Sequence, residues 1–359
     1  MRKTVGENVT VSFNRDTGLI ELYSNNGTLW PDWLERTGIK RNKVQMIRVA
    51  EGIVRLPETR GLHEKTFMYL AFGGLSNVKW IDLKGFDTSH AEDMTLMFGD
   101  CLHLTRLNLS ELNTSNVKKM HGMFKGCSSL EEIDLSGFDT SNVTDMGGMF
   151  LDCYKLTNLD VSHFDTSKVT NMSWMFGDCS TITSIDVSGF NTGNVIYMRG
   201  MFSGCLKLKW MNLNHLNMSN VQNLNSMFSR CKNMQHINMH GLDLKKALEM
   251  KQMFKDCEEL TQVDLKCVST PEVVDISSMF SGCAKLQRLD MSDLNISKVM
   301  SMSQMFSRCT ELREVFMSAA VKESVNTDDM FDGCRENINV REKISKTVLS
   351  KAVLSKAVL

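Results

Sequence analysis

The stretch Ser141-Asn142-Val143-Thr144-Asp145-Met146-Gly147-Gly148-Met149-Phe150-Leu151-Asp152-Cys153, continued by Leu156, Leu159, Val161 and Phe164-Asp165-Thr166, decides the fold because it recurs. Phe98, Phe124, Phe150, Phe176, Phe202, Phe228, Phe254, Phe280 and Phe306 stand 26 residues apart without a slip, and a cysteine follows each by three residues. A fixed period of this size means that one supersecondary unit is copied and stacked, each copy burying its apolar edge against the next. The chain therefore reads as a solenoid whose function lies on its surface.

Within one copy, Val143, Met146, Met149, Phe150 and Cys153 fall at offsets 0, 3, 6, 7 and 10, the spacing of one face of a short α-helix. Ser141, with Asn142 beside it, suits the N-cap of that helix, and Gly126, Gly204 and Gly282 in other copies suit its end. Leu156, Leu159 and Val161 follow the leucine-rich-repeat signature L-x-x-L-x-L, the last two alternating as in a strand. An Asp or Asn comes next, at 87, 113, 139, 165, 191, 217, 243 and 295, with Ser269 the exception. Such a residue holds a turn by bonding nearby backbone. Weaker copies at Phe72 and Phe331 complete the series. The expected architecture is an α/β solenoid, a leucine-rich-repeat stack of 26-residue coils, each a short helix plus a parallel strand.

The run Met-Phe-x-x-Cys-x-x-Leu-x-x-Leu-Asp-Leu-Ser-x-Phe-Asp-Thr-Ser-Asn-Val resembles the BspA-type leucine-rich repeat of bacterial surface proteins, over about residues 67–334. It departs from that pattern at 242–272, where Leu244-Lys245-Lys246 and Ser269-Thr270-Pro271 replace the Thr-Ser-Asn turn and loosened coils are expected. The resemblance implies a non-enzymatic binding scaffold of the surface or secreted adhesion type, a monomer binding protein or glycan ligands through its sheet face. The other class in view is an intracellular protein–protein interaction module or adaptor. No apolar h-region follows Met1, and an in-frame upstream signal peptide would decide between the two.

Residues 1–66 lie outside the period. Val9-Thr10-Val11-Ser12-Phe13 and Leu19-Ile20-Glu21-Leu22-Tyr23 alternate around the turn Asp16-Thr17-Gly18, which reads as a β-hairpin. A strand-like Val44–Val49 follows, and the whole is expected to be an N-terminal β-rich cap, since an open solenoid end exposes core. Residues 335–359 read as a flexible tail: Ser345-Lys346-Thr347-Val348-Leu349 is repeated as Ser350–Leu354 and Ser355–Leu359. A five-residue period matches neither helix nor strand, and an amphipathic membrane anchor is the alternative.

With 41 basic and 42 acidic residues the net charge is −1, which excludes the basic field of a generic nucleic-acid binder. No 18-residue apolar run suggests a transmembrane segment. Of the 11 cysteines, ten occupy one repeat position, at 101, 127, 153, 179, 205, 231, 257, 283, 309 and 334, leaving Cys267 outside it. Without a C-x-x-C pair they read as a column of buried core thiols rather than a metal cluster or a disulfide framework. His63-Glu64-Lys65-Thr66-Phe67 begins like a zincin helix but lacks the second histidine, and no nucleotide-binding or nucleophile-elbow motif appears. No enzyme, no metal and no cofactor are therefore expected.

The strand positions that point outward form columns on the face that leucine-rich repeats usually offer to partners. In the middle column Asp134, Asp160 and Asp186 would stand about 5 Å apart, a like-charge ladder that reads either as a site for Ca²⁺ or basic peptides or as a solvated row relieved by neighbouring donors. Further on, the face changes to Trp210, Asn212, Asn214, His236, Asn238 and His240. An exposed Trp among amides and imidazoles has the composition of a recognition patch for peptides or sugars, the ordinary alternative being a ring folded flat on its neighbours.

Overall fold

The computed structural model describes residues 2–30, 32–55, 71–319 and 321–342, and the backbone of 348–350. The zincin-like His63 segment and residues 351–359 lie outside the described residues. The chain falls into two compact units, Met1–Val169 with Asp178–Phe190, and Thr170–Gly177 with Asn191–Leu359.

The first unit opens with the expected hairpin. Strands β1 (Lys3–Asn14) and β2 (Leu19–Leu29) pair antiparallel, Phe13 opposite Ile20, and Gly18 closes the turn at φ 68°. A five-residue helix α1 (Trp33–Thr37) follows and buries Trp33 and Leu34. Strand β2 then starts two parallel ladders at once. One continues through β3 (Met46–Glu51), β5 (Trp80–Asp82) and β7 (Arg106–Asn108), the other through β4 (Val54–Arg55) and β6 (Phe86–Asp87). A third row consists of single bridges, Asp93 to Lys119 and Lys119 to Asp145. Each coil is thus a closed turn of chain carrying three short parallel contacts to the next.

The second unit repeats this plan. Strands β8 (Trp210–Asn212), β9 (His236–Asn238) and β10 (Gln262–Asp264) form one parallel sheet. Strands β11 (Arg288–Met291), β12 (Glu314–Met317) and β13 (Asn339–Glu342) form another, which β14 (Val348–Ser350) closes antiparallel. Residues 339–342, within the segment expected to be a tail, therefore continue the parallel stacking. The coils at 242–272 keep their pairing, with Asp243 bridged to Ser269 and the Leu244 N–H donating to the Ser269 carbonyl.

The short helix in each coil is corrected by the structure. Around Phe98 the amides of Met97, Gly99 and Cys101 donate three residues back, to Met94, Leu96 and Phe98. The amides between them, on Leu96, Phe98 and Asp100, donate instead to His121, Met123 and Lys125 of the next coil. Successive three-residue turns reproduce the apolar spacing of a helix face while every second N–H serves inter-coil pairing. Leu96 and Asp100 sit at φ 56° and 59°, a left-handed conformation that interrupts any α-helix. Gly126, Gly204 and Gly282, expected at helix ends, occupy the second of these left-handed positions at φ 72–77°.

The core follows from this winding. Phe72, Phe98, Phe124 and Phe150 stack with centroids 5.5–5.7 Å apart in the first unit. Phe176, Phe202, Phe228, Phe254, Phe280, Phe306 and Phe331 stack at 5.3–5.9 Å in the second. Cys101 to Cys309 of the repeat column are buried, Cys334 is half-buried and Cys267 is exposed, all as free thiols. Buried threonines form a second internal ladder. The Thr114 hydroxyl donates to the Asp139 carbonyl at 2.9 Å and accepts from the Asp139 N–H at 2.8 Å, so one hydroxyl satisfies both backbone groups of a residue in the next coil.

Candidate functional site

Parallel pairing in register fixes the candidate patch. Trp210 stands beside His236 and His236 beside Gln262, while Asn212, Asn238 and Asp264 form the adjacent row. The residue between them on each strand, Met211 or Ile237, is buried, because alternate strand positions face opposite sides. Trp210 is 63% exposed, so its indole is offered to solvent. Asn214 and His240 lie at the turns that end these strands, both exposed.

The amides have two jobs. The Oδ1 atoms of Asn212 and Asn238 accept from the N–H groups of Asn214 at 3.2 Å and His240 at 2.9 Å, closing the turn. Their Nδ2 groups have no protein partner among the described residues, leaving donors next to the indole. His240 Nδ1 lies 3.6 Å from Asp264 Oδ2, which couples the patch to the next strand. Gln262 and Asp264 continue these two rows by one further strand.

In the acidic row, expected either as a site for Ca²⁺ or basic peptides or as a solvated row relieved by neighbouring donors, each carboxylate meets a neighbouring N–H. Asp134, Asp160 and Asp186 are exposed, and each Oδ1 accepts from the N–H two residues on, at Ser136, Ser162 and Ser188, at 2.9–3.0 Å. The hydroxyl of Ser162 adds a second donor to Asp160 at 2.7 Å. Hydrogen bonds from Ser136 and Ser162 hold the carboxyls of Asp134 and Asp160 below the ordinary value. Asn108, Asn212 and Asn238 perform the same turn with a neutral side chain, so the column is defined by its Oδ1 acceptor rather than by charge. Among the described residues no group of three or more His, Cys, Asp or Glu could hold a metal ion, and no helix is long and apolar enough to cross a membrane.

Solved structures with similar coils include a leucine-rich cell surface protein from Faecalibacterium prausnitzii. It is 14% identical, with 96% of this chain and 96% of that chain covered, at a TM-score of 0.38. A leucine-rich repeat protein from Eubacterium ventriosum is 14% identical over 93% of this chain and 95% of that one, at a TM-score of 0.35. An internalin from Listeria monocytogenes is 10% identical over 93% and 88%, at a TM-score of 0.23. No curated protein matches the sequence. The family model described as "Mycoplasma protein of unknown function, DUF285" matches residues 66–185, 130–240, 156–266 and 222–344, successive windows that follow the repeats. The chain belongs to the DUF285 family of repeat proteins.

Proposed function

We propose that the chain is a non-enzymatic binding scaffold, and that a protein or glycan ligand docks on its parallel-strand face around Trp210, with Asn212, Asn214, His236, Asn238 and His240. One observation carries this reading: a 63% exposed indole aligned with His236 and flanked by two amides whose Nδ2 donors have no protein partner among the described residues. An aromatic plane supplies contact area at little entropic cost, and fixed donors supply direction. A sheet whose spacing is set by inter-coil hydrogen bonds presents these groups without rearrangement on binding. The resemblance of the repeat to the BspA type supports a cell-surface setting for such a scaffold, with adhesion as its role.

The test is a glycan array and a surface-protein pull-down with the wild-type chain, repeated with Trp210→Ala and His236→Ala. A ligand on this face loses about 2 kcal/mol or more with Trp210→Ala, roughly a thirtyfold weakening, with the melting temperature unchanged. A ligand whose affinity ignores both substitutions places the binding surface elsewhere.

A further inference from the structure

The N-terminal cap holds a second feature, outside the strand face. A cleft of about 740 Å³ opens between β1 and the segment that follows α1. Lys3, Arg15, Lys40 and Lys43 line it, and among the described residues no acidic one does. Val11, Phe13 and Ile39 supply an apolar floor, Val11 fully buried and the other two half-buried. The cleft is tied at both ends. The Lys3 ammonium donates to the Thr37 carbonyl at 2.5 Å, and the Gln45 N–H donates to the Gly18 carbonyl at 2.9 Å.

The neighbouring carboxylates are committed to other cations. Asp32 pairs with Arg36 at 2.6 Å, Glu35 with Arg41 at 2.6 Å, and Glu21 with Arg48. Glu7 and Asp16 lie on or beside β1 but do not line the cleft. Arg15, Lys40 and Lys43 have no ion-pair partner among the described residues. In a chain of net charge −1, this concentrates uncompensated positive charge in one concave place.

We propose that this cleft binds a small amphipathic organic anion, an apolar group carrying phosphate or carboxylate charge. The volume falls within the range of small-molecule sites, roughly 300–1,000 Å³. The apolar floor recognises the body of the ligand. Cations on several sides recognise its charge, Arg15 as a fork and the lysines as point charges. A plain anion would leave the floor wet, and a neutral apolar compound would leave four ammonium and guanidinium groups repelling one another.

The test uses the full chain and 1-naphthyl phosphate, followed by calorimetry at about 20 mM salt, with inorganic phosphate and 1-naphthol as the two halves of the probe. Saturable 1:1 binding is expected, weakened at least tenfold by Lys40→Ala combined with Lys43→Ala and weakened again by raised salt. Each half-probe is expected to bind at least tenfold more weakly. The substituted lysines are exposed, so the melting temperature should not move. Absence of saturable binding overturns the proposal, as does a double variant within twofold of wild type, or inorganic phosphate binding as tightly as the ester. Trp210→Ala should leave this binding intact, which separates the site from the strand face.

Discussion

The Cys127 thiol donates to the carbonyl of Phe98, one coil back, at 3.2 Å, and the Cys127 amide donates to the carbonyl of Phe124 in its own coil at 3.1 Å. The same thiol contact recurs from Cys101, reaching Phe72, to Cys309, reaching Phe280. A cysteine three residues after each Phe is thus a small side chain that fits the seam and also donates a weak bond across it.

Burial pushes the thiols of Cys101 and Cys153 up to about 12, and drives those of Cys127, Cys257 and Cys283 well above the ordinary value as well. Thiolate is the reactive form, so the column should be inert in the folded protein. Titration with a thiol reagent at pH 8 should show Cys267 reacting fast, half-buried Cys334 more slowly, and all 11 thiols only after denaturation. Fewer than eleven in the denatured, unreduced protein would mean that disulfides exist.

Phe202→Ala removes a ring stacked 5.6 Å from Phe176 and 5.3 Å from Phe228. A cost of about 3–5 kcal/mol is expected for a fully buried Phe. Coils pack chiefly on their immediate neighbours, so hydrogen exchange should accelerate around 176–228 and leave β12 and β13 protected. Uniform acceleration through the second unit would contradict nearest-neighbour stacking.

Left-handed positions make a paired prediction. Gly148 sits at φ 61°, where an added Cβ meets nothing closer than 3.7 Å, so Gly148→Ala isolates the backbone term and should cost about 1–2 kcal/mol. Gln304, exposed and at φ 56°, is the converse case. Gln304→Gly should be neutral or stabilising by up to about 1 kcal/mol, the relieved strain offset by the greater freedom of glycine in the unfolded chain. Chemical denaturation of both variants decides this, and equal losses would remove conformational strain as the explanation.

These positions also show where sequence reading ran out. Period, stacking direction, the Phe and Cys columns, the hairpin and the turn-holding Asx column were legible, because each depends on residue type at fixed spacing. The helix was misread because consecutive three-residue turns place Met94, Met97, Phe98 and Cys101 at the offsets of a helix face. Gly or Asp recurs two residues after Phe, at Asp100, Gly126, Asp152, Asp178, Gly204, Asp256, Gly282 and Gly333, and these were the sign of a left-handed residue in mid-segment. The exposed Trp210 stood out in the sequence as a change of column composition. The basic cleft was not, since Lys3, Arg15, Lys40 and Lys43 come together only when β1 folds against the segment after α1.

The Asx corners predict a defined response to acid and to calcium. Hydrogen bonds from Ser141 and Ser167 hold the carboxyls of Asp139 and Asp165 below the ordinary 3.8. A carboxyl depressed in the folded state contributes stability that is present above its unfolded value and lost as pH falls through the folded one. The loss should therefore appear below about pH 4. Asp139→Asn with Asp165→Asn keeps the Oδ1 acceptor, as Asn113 and Asn295 do in their own coils, and should flatten that acid limb while leaving stability at pH 7 nearly unchanged. For Asp134, Asp160 and Asp186 the same turn chemistry predicts that millimolar Ca²⁺ leaves the melting temperature where it was. A rise in melting temperature abolished by Asp160→Asn would instead establish a cation site on that row.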